Sequence, residues 1–109
     1  MVLGIGYNSE TIQAVPAGGY CHNQTAGAAS SSYALQDPLV QIVDVYGDNE
    51  FHIKFGDSTV TATVNDTFIP GATQRPLIIP PKSTHFAILR AGASDSDVFL
   101  NEAGRFFAA

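Results

Sequence analysis

The sequence predicts an all-β protein: a single antiparallel β-sandwich, jelly-roll-like, that follows an extended N-terminal arm. From Leu39 onward, short segments rich in β-branched and aromatic residues recur about every ten residues, with turn-forming residues between them. No segment combines a helical apolar period with capping residues. The chain has 109 residues, enough for one domain with one modest core.

Residues 1–38 differ from the rest in composition. They contain the segments PAGG and TAGAASSS, and only residues 11–15 (TIQAV) resemble a short strand. Gly, Ala and Ser in this proportion are typical of a flexible or partner-held segment rather than a packed domain. We therefore divide the chain into an arm, residues 1–38, and a sandwich domain, residues 39–109. The candidate interface residues of the arm are Tyr7, Tyr20 and Tyr33.

Residues 51–64 have the pattern of a β-hairpin. The segments FHIKF and STVTATV alternate between apolar and polar residues and flank Gly56 and Asp57, a pair that suits a type II′ turn. Such a hairpin would have one buried and one solvent-facing side. We expect Ile53 on the buried side and His52 on the solvent side, opposite the threonines.

Four further segments are predicted to form strands. Residues 39–46 and 96–103 are rich in β-forming side chains, whereas 77–81 (LIIPP) can hold only a short strand because proline cannot donate to a ladder. Residues 84–91 (THFAILRA) are apolar on both faces, which places this strand at the centre of a sheet or between the core and a partner. Leu89, on its second apolar face, is a candidate interface residue.

The charge pattern argues against nucleic acid as a partner. The net charge is −5, charged residues make up 14% of the chain, and the five basic residues are scattered. Phosphate backbones require clustered basic side chains, so nucleic acid is not an expected partner. No apolar stretch is long enough for a transmembrane helix, and the first residues lack the pattern of a signal peptide. A membrane is therefore not expected as a partner either.

The residues that could carry catalysis or bind a metal do not form a recognisable motif. Cys21 and His22 have no second pair at zinc-ligand spacing, and the acidic segment 95–97 lacks the later ligands of a calcium loop. There is no phosphate-binding glycine loop and no recognisable catalytic triad. We expect His52 at the surface, His85 hydrogen-bonded at a strand end, and Cys21 as a buried or interface thiol. The sequence argues against an enzyme and indicates no cofactor and no metal.

Two phenylalanines, Phe106 and Phe107, stand almost at the last residue of the sequence. Exposing both would be costly, so something is expected to cover them. Either a neighbouring subunit covers them, which makes them candidate interface residues, or they fold back onto their own sandwich.

Residues 39–104 combine several features of pattern and turn chemistry. These are Phe55-Gly56-Asp57-Ser58, Asp66, Pro70-Gly71, Pro81, Thr84-His85 and the segment from Val98 to Gly104. In this combination the segment resembles small structural proteins of tailed bacteriophages and prophages, of the capsid decoration or cement type. The arm is not covered by the resemblance.

The resemblance implies a non-enzymatic virion protein with a β-sandwich fold. Such a protein would lie on the outer capsid surface, bind the major capsid protein and form a homo-oligomer, commonly a trimer. Two alternatives stay open. One is a tail, neck or fibre component, and the other is a small carbohydrate- or receptor-binding sandwich on the virion. For the latter, Tyr46 beside Gly47-Asp48-Asn49 is the nearest candidate.

Overall fold

The structure is a computed structural model and describes residues 19–104. These residues form eight strands and no helix, which confirms the all-β class. The strands are β1 (Cys21–Ala26), β2 (Ser31–Ala34), β3 (Ile42–Gly47), β4 (Phe51–Gly56), β5 (Thr67–Ile69), β6 (Arg75–Ile78), β7 (His85–Arg90) and β8 (Ser96–Gly104).

The strands form two packed four-stranded antiparallel sheets. Sheet I has the order β1-β8-β3-β6 and sheet II the order β2-β7-β4-β5. The first strand therefore pairs with the last, the second with the seventh, the third with the sixth and the fourth with the fifth. This pairing is that of an eight-stranded jelly roll, so the predicted sandwich is confirmed. Strand β7 lies inside its sheet, as its two apolar faces indicate, and the short proline-containing β6 lies at an edge.

The core lies between the two sheets. Alternate residues point inward, as in β8, where Ser96, Val98 and Leu100 are buried while the residues between them are exposed. Ile53 is 1% exposed, so its predicted burial is confirmed. The largest fully buried apolar side chains are Phe51, Phe86, Ile53, Ile69, Ile88, Leu100, Val43, Val45 and Val98.

The predicted hairpin over residues 51–64 is wrong. Strand β4 pairs with β7 and β5, which places Ile53 opposite Ile88 on one side and Thr67 on the other. After β4 the chain turns at Asp57, whose Oδ1 accepts hydrogen bonds from N and Oγ1 of Thr59 at 2.8 and 2.6 Å. The strand beside β4 is therefore β7, which is distant in sequence, and not residues 58–64, as the sequence pattern predicted.

Residues 57–66 instead form a flap across the outer face of sheet II. Ala62 N donates to Ser30 Oγ at 2.8 Å, beside the edge strand β2. The next strand, β5, lies at the opposite edge of sheet II, so the flap crosses the sheet from one edge to the other. Under the flap, His52 Nδ1 lies 3.1 Å from the carbonyl oxygen of Asp66. His52 is buried at 9% exposure, so its predicted surface position is wrong.

The sandwich also begins earlier than predicted. Strands β1 and β2 fall inside the segment 1–38, yet they pair with β8 and β7 along their whole length. The predicted boundary at residue 39 is therefore wrong, because residues 21–34 belong to the two sheets. The remaining predicted arm, residues 1–18 with the strand at 11–15, lies outside the described residues.

Candidate interaction surfaces

A buried carboxylate holds one end of the sandwich together. Glu102, on β8, is 6% exposed. Its Oε2 lies 2.6 Å from Nε2 of His22 and accepts the N–H of Gln36 at 2.6 Å, while Oε1 accepts the N–H of Asp37 at 2.8 Å. A carboxylate only accepts hydrogen bonds, so the His22 ring carries its proton on Nε2. Glu102 thereby ties β1 and the loop after β2 to β8.

Aromatic rings enclose the histidine of this cluster. The ring centroid of His22 lies 4.6 Å from that of Tyr20 and 5.0 Å from that of Phe86, both in edge-on geometry. Next to it, Glu102 N donates to the carbonyl oxygen of Tyr20 at 2.8 Å. Residues 19 and 104, the limits of the described chain, consequently lie side by side at one end of the sandwich.

Two adjoining depressions lie at this end. They share Val40; one lies beside Tyr20 and Glu102, and the other lies between Leu39 and Ile78. Tyr20, Leu39 and Ile78 are 49%, 54% and 68% exposed. We call this surface the terminal groove. Its exposed apolar side chains belong to segments that are distant in sequence, which is why the sequence pattern did not bring them together.

The predicted interface residues are spread over the molecule. Tyr20 lies at the terminal groove. Tyr33 is half-buried and packs on the core, with its ring centroid 5.6 Å from that of Phe86. Leu89 is half-buried on the outer face of sheet II, opposite His52 of β4. Tyr7, Phe106 and Phe107 lie outside the described residues.

The outer face of sheet I carries an exposed aromatic pair. Tyr46 on β3 and Phe99 on β8 stand opposite each other, with ring centroids 6.4 Å apart and ring planes inclined by 44°. They are 37% and 39% exposed. Tyr46 is the residue singled out by the carbohydrate-binding alternative. Its partner Phe99 was not singled out, because the pairing of β3 with β8 is not visible in the sequence.

Hydrogen bonds connect the turn after β3 to the segment at the start of β8, next to this aromatic pair. Asp48 Oδ1 accepts the N–H of Asp97 at 2.8 Å, and Asn49 Nδ2 donates to the carbonyl oxygen of Asp95 at 2.8 Å. The Arg90 guanidinium adds an ion pair to the Asp95 carboxylate at 2.8 Å. The acidic segment 95–97 therefore has a structural role, joining the turn after β3 to the start of β8.

His85 and Asp57 have hydrogen-bond partners that are close in sequence. His85 Nδ1 lies 2.8 Å from Thr84 Oγ1 at the start of β7, which confirms the prediction of a hydrogen-bonded histidine at a strand end. Of the two alternatives for Cys21, a buried or an interface thiol, its exposure in the single chain removes the first, and the interface thiol stays a prediction. At Asp57, the hydroxyl and the backbone N–H of Thr59 lower the pKa of the carboxyl group.

Within residues 19–104, no three His, Cys, Asp or Glu side chains are grouped so that they could hold a metal ion. No helix that could span a membrane occurs in this part of the chain. Comparison of the chain with protein-family models, with curated proteins and with solved structures finds no match in any of the three.

Proposed function

We propose that this chain is a virion structural protein that decorates and stabilises the outer surface of a tailed-phage capsid by binding the major capsid protein. The observation that best supports this proposal is the terminal groove, where Tyr20, Leu39 and Ile78 expose apolar side chains at one end of the sandwich. A single end of the sandwich would then face the capsid. The jelly roll occurs in capsid proteins, but a fold hosts many functions and does not by itself decide between them.

The length of the chain before Gly19 supports anchoring at this end. Fully extended, 18 residues span about 60 Å. The longest dimension of the described molecule is 42 Å. A segment of this length, joined to Gly19 at the terminal groove, would be long enough to contact a neighbouring subunit of a shell.

We also propose that the chain forms a homo-oligomer, most simply a closed trimer. Large exposed apolar side chains on a small protein commonly mark interfaces, and identical chains commonly form closed symmetric assemblies. Burial of apolar surface contributes about 25 cal/mol per Å² before the cost of association. Light scattering of the purified chain should report a mass above that of the 11.5 kDa monomer. A monomer at micromolar concentration would leave only assembly imposed by the shell.

The capsid proposal is tested in two steps. Quantitative mass spectrometry of particles of the virus that encodes this chain should find it in numbers comparable with the major capsid protein. Numbers far below that would place it in the tail or neck instead. A variant lacking residues 1–18 should then fold but fail to bind shells that lack the protein. If the truncated chain still covers the shells fully, residues 1–18 are not the anchor. Removing residues 1–38 would not test this, because β1 and β2 would be lost.

Tyr20→Ser tests the terminal groove within this proposal. Phe68→Ser is the matched control, since Phe68 is also 49% exposed but lies on the edge strand β5 of sheet II. Tyr20→Ser should weaken binding to shells, and Phe68→Ser should not. Equal loss in both variants would contradict the assignment of the terminal groove as the capsid-facing surface.

A further inference from the structure

The outer face of sheet I presents two rows of side chains across three neighbouring strands. One row is Asn23, Phe99 and Tyr46, and the other is Cys21, Asn101 and Asp44. Sheet II has no comparable open face, because the flap crosses it. From these rows we propose that the outer face of sheet I binds a neutral carbohydrate, stacked on Tyr46 and Phe99. This proposal does not depend on the capsid function.

The aromatic pair supplies the apolar part of the site. Tyr46 and Phe99 lie close enough for both rings to contact one sugar ring or two adjoining ones, since their centroids are 6.4 Å apart. A pyranose has C–H groups on its faces and hydroxyl groups around its edge. It therefore needs a flat apolar surface flanked by hydrogen-bonding groups, which is how small-ligand sites are generally built. Asn23 and Asn101 provide amides beside the rings.

Asp44 supplies an acceptor that lacks a donor. Asp44 precedes Tyr46 by two residues, so both side chains lie on the same face of β3, and Asp44 is 8% exposed. Its Oδ2 accepts a hydrogen bond from Nε2 of Gln74, whereas Oδ1 is buried with no hydrogen-bond partner among the described residues. A buried acceptor without a donor is costly. Gln74 is exposed, so it can move aside and allow a sugar hydroxyl to donate to this carboxylate.

The charges of this face select a neutral ligand. The outward positions of the four strands of sheet I carry two carboxylates, Asp44 and Asp97, and no Lys or Arg. Uronic and sialic acids would be repelled by these groups. The same charges disfavour a second copy of the chain, because two such faces would bring like charges together. Two partly exposed rings also provide far less area than a stable protein interface needs.

Titration of the ¹⁵N-labelled full chain with cellohexaose, chitohexaose and maltohexaose, followed by amide NMR, tests the proposal. At least one of these neutral oligosaccharides should shift the amides of β3 and β8 around Tyr46 and Phe99, with trigalacturonic acid as the anionic control. Absence of shifts with all three neutral probes at millimolar concentration would overturn the proposal, and so would stronger binding of the acid.

Variants locate the site. Tyr46→Ala and Phe99→Ala should each weaken binding about tenfold, the loss expected for one aromatic stacking contact. Asp44→Asn should weaken it severalfold while keeping the side-chain size. Phe68→Ala, an exposed phenylalanine on sheet II, should leave the affinity unchanged. If Phe68→Ala weakens binding as much, or if Tyr46→Ala instead lowers the oligomeric mass, the face is not a sugar site.

Discussion

Replacing the buried carboxylate of Glu102 should destabilise the fold more than any exposed acidic substitution. In Glu102→Ala, three donors lose their acceptor: Nε2 of His22 and the backbone N–H groups of Gln36 and Asp37. A hydrogen bond to a charged group contributes about 1.5–3 kcal/mol, and leaving a buried donor without an acceptor costs about 1–3 kcal/mol. We expect a loss of about 3–5 kcal/mol, because water from the terminal groove can partly replace the carboxylate.

This loss would be a large share of the total stability. A domain of this length is stable by about 5–15 kcal/mol, so Glu102→Ala should lower the urea midpoint substantially without changing the slope of the transition. Glu102→Gln keeps the shape and one acceptor and should lose less than Glu102→Ala. Asp95→Ala is the control, because Asp95 is exposed and its ion pair with Arg90 is worth at most about 1 kcal/mol. A loss in Glu102→Ala no larger than in Asp95→Ala would refute the role assigned to Glu102.

Three further predictions concern the core and the flap. Ile53→Ala, at a side chain that is 1% exposed, should lower the free energy of unfolding by about 2–5 kcal/mol in a denaturant titration. Thr61→Ala, at an exposed position of the flap, should change it by no more than about 1 kcal/mol, and equal losses would contradict the assigned burial. Thr59→Val should raise the pKa of Asp57 in a carboxyl NMR titration, because the Thr59 hydroxyl lowers it. The pKa of Asp57 is lower in the folded than in the unfolded chain, so the hydrogen bonds to its carboxylate stabilise the fold above the unfolded pKa, and this stabilisation is lost as pH falls through the folded pKa. An unchanged pKa of Asp57 in Thr59→Val would show that the Thr59 hydroxyl does not lower it. Ala62 is 3% exposed, so Ala62→Asp would bury a charge and should release the flap from sheet II. Hydrogen exchange of the β4 amides should then become faster, and unchanged exchange would show that the flap does not protect them.

The sequence predicts those strands whose apolar residues or prolines depend directly on burial and on position in the sheet. Residues 84–91 are apolar on both faces because β7 has neighbours on both sides and the flap over its outer face, so Ala87 is 0% exposed there. The prolines of 76–81 limited β6 to a short edge strand. The alternation in residues 58–64 does not distinguish a strand from any other extended segment that has one covered side. In the flap that side, with Ala62, faces a sheet surface.

The polar strands and the candidate surfaces could not be predicted in the same way. β1 (CHNQTA) and β2 (SSYA) have few apolar residues because edge strands bury little, and such a composition is also typical of an extended arm. His22 and Glu102 are separated by 80 positions, and neither has a local motif. Only the pairing of the first strand with the last brings them together, and no local pattern encodes that pairing.

The order of strands in sheet I has a consequence for how the protein folds as it is synthesised. Within residues 19–104, its interior strand β8 comes last, and β8 is the neighbour of the edge strand β1 and one of the two neighbours of β3. A nascent chain that has emerged through β7 can assemble sheet II, but it holds β1 without its neighbour. Loop-closure entropy makes such long-range pairing slow, on the scale of milliseconds to seconds. Until β8 leaves the ribosome, unpaired strand edges are available to other chains, and this interval is when the protein is most prone to aggregate.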